Sequence, residues 1–205
     1  MKITYLGHSC FKIASQDYEI VMDPYQEGSV PGYQPLHEEA DQVLCSHYHR
    51  DHGALEAVTL RKGAISPFRV DSIATWHDDH KGELRGSNTI HILDDGQVRI
   101  AHLGDLGCAL TEEQKEALKG LDALLLPVGG FYTIDARQAK ALAEELAPAV
   151  VIPMHYRGPG FGYDVIAPVQ EYTKLCEDVV EYPGAELELT RNMPRQTALL
   201  MAKYR

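Results

Sequence analysis

One short stretch of the chain concentrates side chains that commonly bind metal ions in proteins. Residues 42–45, which precede it, are mostly apolar and predict a buried strand, whereas residues 53–60, which follow it, are predicted to be helical. The stretch is therefore expected to form a strand-to-helix loop. Its pattern is H-x-H-x-D-H, with the four members His47, His49, Asp51 and His52.

The chemistry of these four side chains points to a metal site. In an extended loop, side chains two positions apart point the same way, so two histidines can bind one cation while Asp51 and His52 reach a second. Imidazole and carboxylate ligands suit zinc, with manganese or iron as alternatives. A polar loop with incidental histidines is the other interpretation, and the density of ligand-type side chains disfavours it.

The motif resembles that of the metallo-β-lactamase superfamily. Within that superfamily, residues 3–11 (ITYLGHSCF) and 153–156 (PMHY) are similar to the small, stand-alone metal-dependent hydrolases related to the ascorbate-6-phosphate lactonases. The resemblance covers nearly the whole chain. It implies an α/β fold of the four-layer αβ/βα sandwich type, with two divalent metal ions at one edge between two sheets.

The resemblance also implies a complete set of ligands. His77 would join His47 and His49 on the first cation, and His155 would join Asp51 and His52 on the second. Asp105 would bridge both, and its flanking glycines allow the backbone to turn its carboxylate inward. His77, Asp105 and His155 each follow a predicted strand, where loops gather into sites. His80 is the alternative to His77.

A second group of residues is predicted to support the site or to contact substrate. Asp23 is a suitable acceptor for the second N–H of a metal-bound imidazole. His8 could face substrate or support the metals, and His102 is expected to pack beneath Asp105. An arginine at the mouth of the site would suit a carboxylate or phosphate. The candidates for contacts at that mouth are Arg85, Tyr132, Tyr156 and Arg157.

Apolar periodicity and turn residues give the expected elements. The order, strands first and then alternating strands and helices, predicts one α/β domain over residues 1–205, with a polar loop at 25–40. The predicted strands are 2–6, 10–14, 18–22, 64–66, 73–76, 89–93, 97–102, 121–127, 149–153, 186–190 and 197–203. The predicted helices are 112–119, 135–146 and 167–177.

Composition limits the partners and the compartment. Thirty acidic residues against 19 basic ones give a net charge of −11, which disfavours nucleic-acid binding. We expect no signal peptide and no membrane segment, and the four scattered cysteines are expected to be free thiols in a reducing cytoplasm. Bound metal would attract an anion, so the expected partner is a small, anionic substrate. The sequence leaves a homo-oligomer open.

The implied reaction is hydrolysis of a small ester, lactone or phosphoester by a hydroxide shared between two cations. Asp51 would be the catalytic residue that orients this hydroxide or carries its proton. An RNA or DNA phosphodiesterase of the same fold and a metal-binding module without catalysis are the alternatives. A diiron redox enzyme is disfavoured, because such relatives have an acid where this chain has His49 and usually carry a flavin domain.

Overall fold

The strands of this protein form two main sheets and one small one in the computed structural model, which describes residues 1–205. The strands are β1 (Lys2–Gly7), β2 (Cys10–Ser15), β3 (Tyr18–Met22), β4 (Glu38–Ala40), β5 (Gln42–Leu44), β6 (Val58–Leu60), β7 (Arg69–Trp76), β8 (Ser87–Asp94), β9 (Arg99–His102), β10 (Ala123–Pro127), β11 (Val150–Met154), β12 (Val179–Glu181), β13 (Glu186–Glu188) and β14 (Gln196–Leu199). The helices are α1 (Glu112–Ala117), α2 (Ala136–Leu146) and α3 (Gln170–Thr173).

The first sheet has the order β13-β1-β2-β3-β5. β1, β2 and β3 pair antiparallel, as the short polar turns between them predict. Their predicted bounds are confirmed to within one residue. β5 runs parallel to β3 at the edge of the sheet. A strand was predicted here, but it is only half-buried and not buried as expected. This pairing places the end of β5, where the motif begins, beside Asp23 at the end of β3.

The second sheet has the order β12-β14-β11-β10-β9-β8-β7. Every residue of β10 and β11 is buried, which matches continuous apolar strands that are covered on both faces. The five strands from β12 to β9 are parallel, and β7 and β8 complete the sheet as an antiparallel pair. One cluster of buried apolar side chains contains residues of both sheets, so the sheets share a core.

The helices follow strands of the second sheet in the chain order. The predicted caps are confirmed: the side chains of Thr111 and Asp135 accept backbone hydrogen bonds at the starts of α1 and α2. α2 packs on β10 and on α3. The alternation of strand and helix confirms the predicted α/β class. None of the helices combines the length and the apolar composition that crossing a bilayer requires.

The helix predicted for residues 53–60 is wrong. A single 3-10 turn, Leu55–Ala57, is followed by β6, which pairs with β4 inside the predicted polar loop. Ala54 offers no side-chain cap, and Leu55 and Leu60 stay half-exposed, so a helix here would bury no apolar face. The β-branched pair Val58 and Thr59 instead takes the extended backbone that the neighbouring strand stabilises.

Other boundaries also differ from the prediction. The strand expected at 64–66 is absent, and β7 begins earlier than expected because all eight of its residues pair with β8. Only one turn of the helix expected at 167–177 forms, and Val169, which precedes it, provides no side-chain cap. β12 was not predicted, and the two expected tail strands are shortened to β13 and β14.

Candidate metal centre

The predicted ligands meet at one edge of the two sheets. The motif loop follows β5 of the first sheet, whereas His77, Asp105 and His155 follow β7, β9 and β11 of the second. The side chains from the second sheet are all three buried, with at most 2 % of each residue's surface exposed. The paired strands end together, so residues far apart in the chain come within contact of one another.

Asp105 lies at the middle of this cluster. Its Oδ2 atom is 3.2 Å from the Nε2 atoms of His52, His77 and His155. Two ligand atoms that each lie about 2.0–2.2 Å from one tetrahedral cation are separated by about 3.4 Å. The spacing of this carboxylate and the three imidazoles therefore fits ligands of a shared cation.

Potential ligand atoms fall into three overlapping groups, within each of which they lie no more than 4.8 Å apart. Two groups share His47 and two share His52, so the groups form one continuous cluster. The groups are His47, His49 and His77; His8, Asp51, His52 and His155; and His47, His52 and Asp105. The structure thus brings all seven predicted ligands together, and it adds His8 to them.

Unpartnered buried atoms show that this cluster fits a cation. A buried polar atom without a hydrogen bond costs free energy, and such atoms are rare. Here several are concentrated in one place and belong to the same few side chains. They are Nδ1 of His8, Nε2 of His47, Nε2 of His52, Oδ1 of Asp105 and both ring nitrogens of His155. A cation bound among them would be coordinated by the oxygen and by one lone pair of each imidazole that faces it.

Hydrogen bonds to the other ring nitrogens orient three of the histidines. Nδ1 of His52 lies 2.8 Å from Oδ2 of Asp23, and Nδ1 of His77 lies 3.1 Å from the carbonyl oxygen of Tyr132. Nδ1 of His47 lies 2.9 Å from Oγ of Ser46, which donates to the same Asp23 atom. For a centre that holds a cation we assign the proton to Nδ1 in each ring, because that tautomer would direct a lone pair on Nε2 toward the cation.

Asp23 is held ionised for this task. Burial alone would raise its pKa, but His102 and the hydrogen bonds from His52 and Ser46 lower the pKa of Asp23 to about 2. The backbone N–H of Ser46 donates a further hydrogen bond of 2.6 Å. Asp23, which was predicted to support the site, is thus a charged acceptor that serves two of the motif histidines at once.

The pKa values of the cluster follow burial and charge. Burial lowers the pKa of His8 to about 4 and that of His47 to about 3, with neighbouring histidines adding to the effect, so both rings are neutral at pH 7. Burial also acts to lower the pKa of His52, but Asp105 and Asp51 raise it well above the usual range. For Asp105, His155 and His52 outweigh burial, and its pKa falls well below the ordinary value.

Two features of the backbone hold Asp105 in place. Gly104 has φ +54°, a left-handed conformation, and a Cβ atom there would lie 2.4 Å from both Ser46 and Asn88. Gly107 approaches His77 so closely that a Cβ atom would lie 2.3 Å from its carbonyl carbon. The glycines beside Asp105 therefore permit the turn, as predicted, and also the close contact with the loop of a second ligand.

His8 and Tyr163 both contact the carboxylate of Asp51. Nε2 of His8 and the hydroxyl of Tyr163 each lie 3.3 Å from Oδ2 of Asp51. The ring of His8 is fully buried and its centroid is 4.3 Å from that of His155. The sequence left the role of His8 open between substrate and metals, and the structure places it at the metal ligands.

The remaining candidates are distributed differently. His80 is exposed and pairs with Asp79, so the structure keeps it out of the cluster. His102 uses both ring nitrogens in backbone hydrogen bonds beneath Asp105. Tyr156 packs its ring against Tyr5 and Phe161 in the core rather than at the mouth. Arg157 donates to the carbonyl of Ile166. Arg85 lies over the ring of Tyr132.

Several residues that shape the site were not singled out by the sequence. Asn88 accepts the backbone N–H of Asp105 at 2.9 Å and donates to Thr75 and Leu103. Ser46 links His47 to Asp23. The available signals were the polar Asn88 at the start of an apolar strand and a serine directly before the motif. Neither signal indicates a partner without the fold.

Comparison with known proteins identifies the family. Residues 2–155, about three-quarters of the chain, match the family model described as the β-lactamase superfamily domain. The chain belongs to the metallo-β-lactamase superfamily. A UPF0173 metal-dependent hydrolase of Thermococcus onnurineus is 29 % identical over 92 % of this chain and its own full length. Another, from Carboxydothermus hydrogenoformans, is 28 % identical over 76 % of this chain and 84 % of its own.

A solved structure supports the same assignment. A Thermotoga maritima protein, attributed to the Zn-dependent hydrolases of the metallo-β-lactamase superfamily, superposes with a TM-score of 0.76. It is 32 % identical, and the match covers 97 % of each chain. The predicted metallo-β-lactamase architecture is thereby confirmed, and this member of the superfamily is a metal-dependent hydrolase.

Proposed function

We propose that the protein binds two divalent cations and uses them to hydrolyse a small ester, lactone or phosphoester. The observation that carries this proposal is the position of Asp105, whose Oδ2 atom lies 3.2 Å from imidazoles of both predicted ligand sets. A carboxylate in that position suits a bridge between two cations. The Thermotoga relative is described as a Zn-dependent hydrolase, which supports zinc as the metal.

Each cation has its own set of protein ligands in this proposal. His47, His49 and His77 would hold the first, and the centroids of their rings lie 4.6–5.2 Å apart. Asp51, His52 and His155 would hold the second. Nitrogen and oxygen donors of this kind suit Zn²⁺, and Mn²⁺ or Fe²⁺ can use the same set. Bound cations would supply a hydroxide nucleophile near neutral pH and stabilise negative charge on the substrate oxygen.

Asp51 is the proposed catalytic residue. Burial alone would raise its pKa, but His52 and His8 lower the pKa of Asp51 below the ordinary value, so the side chain is an acceptor at neutral pH. Its Oδ2 atom is held by His8 and Tyr163, which leaves the carboxylate with a defined direction. A carboxylate fixed in this way can orient a water molecule and receive its proton.

The substrate of the proposed reaction is a small molecule. Clustered cations would favour one that carries a negative group. The fold is shared with a human short-form tRNase Z, which is 10 % identical with a TM-score of 0.58, and that likeness concerns the fold alone. The net charge of −11 gives a polynucleotide no general attraction.

The proposal is tested by metal content and turnover measured on the same preparations. Protein purified without chelator should contain about two cations per chain and should hydrolyse members of a panel of chromogenic esters, lactones and phosphodiesters. Asp105→Ala should lose both cations and activity, whereas His155→Ala should retain the first cation and lose activity. His80→Ala is the matched control, because this exposed histidine lies near His77 in the chain but outside the cluster.

Three results would count against the proposal. Stoichiometric metal with no turnover of any substrate in the panel would favour a metal-binding module without catalysis. Turnover confined to RNA or DNA would favour the phosphodiesterase alternative. An unchanged metal content in Asp105→Ala would contradict the bridging position of that carboxylate.

A further inference from the structure

A rigid loop next to the metal ligands presents a cation that the chain leaves without a counter-ion. We call residues 78–86 the Asp78 arm, because the buried carboxylate of Asp78 accepts four of its backbone N–H groups. The hydrogen bonds are 2.7–3.1 Å long. The donors are His80, Gly82, Leu84 and Arg85. This set of bonds satisfies both oxygens of Asp78, so the carboxylate organises the loop rather than a ligand.

The Asp78 arm is also tied directly to the candidate metal centre. Asp78 follows His77 in the chain, and the backbone N–H of His77 donates to the carbonyl of Gly86 at 3.1 Å. Both ends of the arm are therefore joined at the ligand. The backbone of this arm is thereby held next to the metal cluster.

Arg85 is the side chain that the arm presents. Its guanidinium carbon lies 5.6 Å from the centroid of the Tyr132 ring, within the range of a cation–π interaction. The residue is half-buried, yet its guanidinium forms no ion pair and no hydrogen bond within the protein. Arg61 and Arg99, by contrast, are satisfied by Asp41 and by two carbonyls respectively. The five N–H donors of Arg85 thus remain available.

Tyr132 connects this arginine to the metal ligands. Its carbonyl accepts from Nδ1 of His77, and its ring centroid is 6.4 Å from that of His155 and 5.9 Å from that of Tyr163. Tyr163 in turn contacts Asp51. One aromatic ring therefore separates Arg85 from the ligand cluster, a distance that a small substrate can span.

We propose that Arg85, positioned by Tyr132 and the Asp78 arm, binds an oxyanion of the substrate, a carboxylate or a phosphate, at the end remote from the bond that is cleaved. This inference rests on the proposed hydrolase function, which places the bond that is cleaved, at the other end of the substrate, at the metal centre. A planar guanidinium offers two parallel N–H donors to such a group, and its stacking on Tyr132 limits the rotamers that binding must freeze. The substrate class is then a small ester or lactone with a distal negative group.

The first test compares two esters that differ only in the distal charge. The probes are 4-nitrophenyl hydrogen adipate and its methyl ester at the distal carboxyl group, assayed with the metal-loaded protein. The ratio of kcat/KM for the hydrogen adipate over its methyl ester should exceed one and should fall about 10- to 100-fold in Arg85→Gln, the loss expected for one charge-assisted hydrogen bond. Tyr132→Ala should lower the ratio, and Tyr132→Phe should retain most of it because the ring remains.

Arg191→Gln provides the matched control. Arg191 donates to the carbonyl of Gln97, which lies before the start of β9, at the opposite end of that strand from Asp105. The control removes the same charge from the molecule, and its ratio should be unchanged. A general effect of net charge would instead lower the kcat/KM ratio equally in both variants.

A binding measurement decides the inference independently of turnover. Titration calorimetry of glutarate and inorganic phosphate into the metal-loaded protein should show at least ten-fold weaker binding of the preferred anion to Arg85→Gln than to Arg191→Gln, and the comparison of the two anions separates a carboxylate from a phosphate preference. Equal affinities in the two variants, or an ester ratio altered less than two-fold by Arg85→Gln, would overturn the inference. Absence of ester hydrolysis with anion binding still dependent on Arg85 would contradict the proposed reaction but support this anion site.

Discussion

His52 and Asp23 form a buried hydrogen bond of 2.8 Å that links the motif loop to the end of β3. Both side chains are inaccessible to solvent, and Asp23 also receives two hydrogen bonds from Ser46. The left-handed φ of +47° at Asp23 turns its carboxylate toward the loop. One aspartate outside the motif thus determines the orientation of two of its histidines.

Removal of this charge should weaken metal binding without removing a ligand. Asp23→Asn replaces an ionised acceptor by a neutral amide, so we expect metal affinity to fall about 10- to 100-fold. Competition with a metal-sensitive chelating dye would measure the loss. Asp17→Asn, in the exposed turn between β2 and β3, should bind metal like the unaltered protein. Equal affinities in the two variants would contradict the proposed support.

Asn88 should affect both stability and metal content. Asn88→Ala leaves the buried N–H of Asp105 without an acceptor, which we expect to cost about 1–3 kcal/mol in the free energy of unfolding. The loop of Asp105 should then be less well ordered, and the metal content after dialysis should fall. Thr75→Val removes the hydroxyl that accepts a hydrogen bond from Asn88, but the oxygen of Asn88 still accepts from Asp105. This variant should therefore lose stability and retain metal. Similar metal loss in both variants would refute the distinction.

Gly107 should tolerate no side chain. In Gly107→Ala the new methyl group would lie 2.3 Å from the carbonyl carbon of His77, so one of two ligand loops must move. We expect loss of metal and a lower midpoint of thermal unfolding. Gly184→Ala, where a Cβ atom meets nothing within 4 Å, is the control. A Gly107→Ala protein with full metal content would show that these loops can adjust.

Glu38 should make the protein sensitive to acid. Burial alone would raise its pKa, but Lys12, Lys203 and Tyr204 lower the pKa of Glu38 below its ordinary value. The folded state therefore binds the proton less well than the unfolded state does, so the contribution of Glu38 to stability is complete above an unfolded pKa of about 4.3 and disappears as the pH falls through the folded value.

The charge is removed in Glu38→Gln. We expect this variant to be about 1–3 kcal/mol less stable than the unaltered protein at pH 7, as measured by urea unfolding, with the difference narrowing below pH 4. A difference that is independent of pH would show that packing, not charge, accounts for the effect. Glu186→Gln, whose partner Lys2 lies on the exposed surface, should change stability by less than about 1 kcal/mol.

Removal of the cations should lower the thermal stability of the protein. A ligand that binds only the folded state stabilises it in proportion to the logarithm of its concentration over Kd, about 2.7 kcal/mol at 100 times Kd. Chelator should therefore lower the midpoint of thermal unfolding, and added Zn²⁺ should restore it. Asp105→Ala should respond to neither treatment. A chelator effect of equal size in that variant would contradict the assignment of Asp105.

The sequence by itself determined the motif, the chemistry of its ligand-type side chains and most of the strands. His47, His49, Asp51 and His52 are close in the chain, so their common site follows from local geometry. β1, β2 and β3 were predictable because their apolar residues and short turns act within a few residues. The helix predicted at 53–60 was wrong because Leu55 and Leu60 stay half-exposed there, and the local pattern does not contain that information.

Only the tertiary structure decided which distant residues support the site. Asn88 reaches Asp105 because β8 and β9 are paired, and His8 reaches Asp51 because the first turn of the chain lies beside the motif loop. Arg85 owes its position to the buried carboxylate of Asp78. Burial and hydrogen-bond partners are properties of neighbours in space, and sheet pairing creates those neighbours from residues that are far apart in sequence.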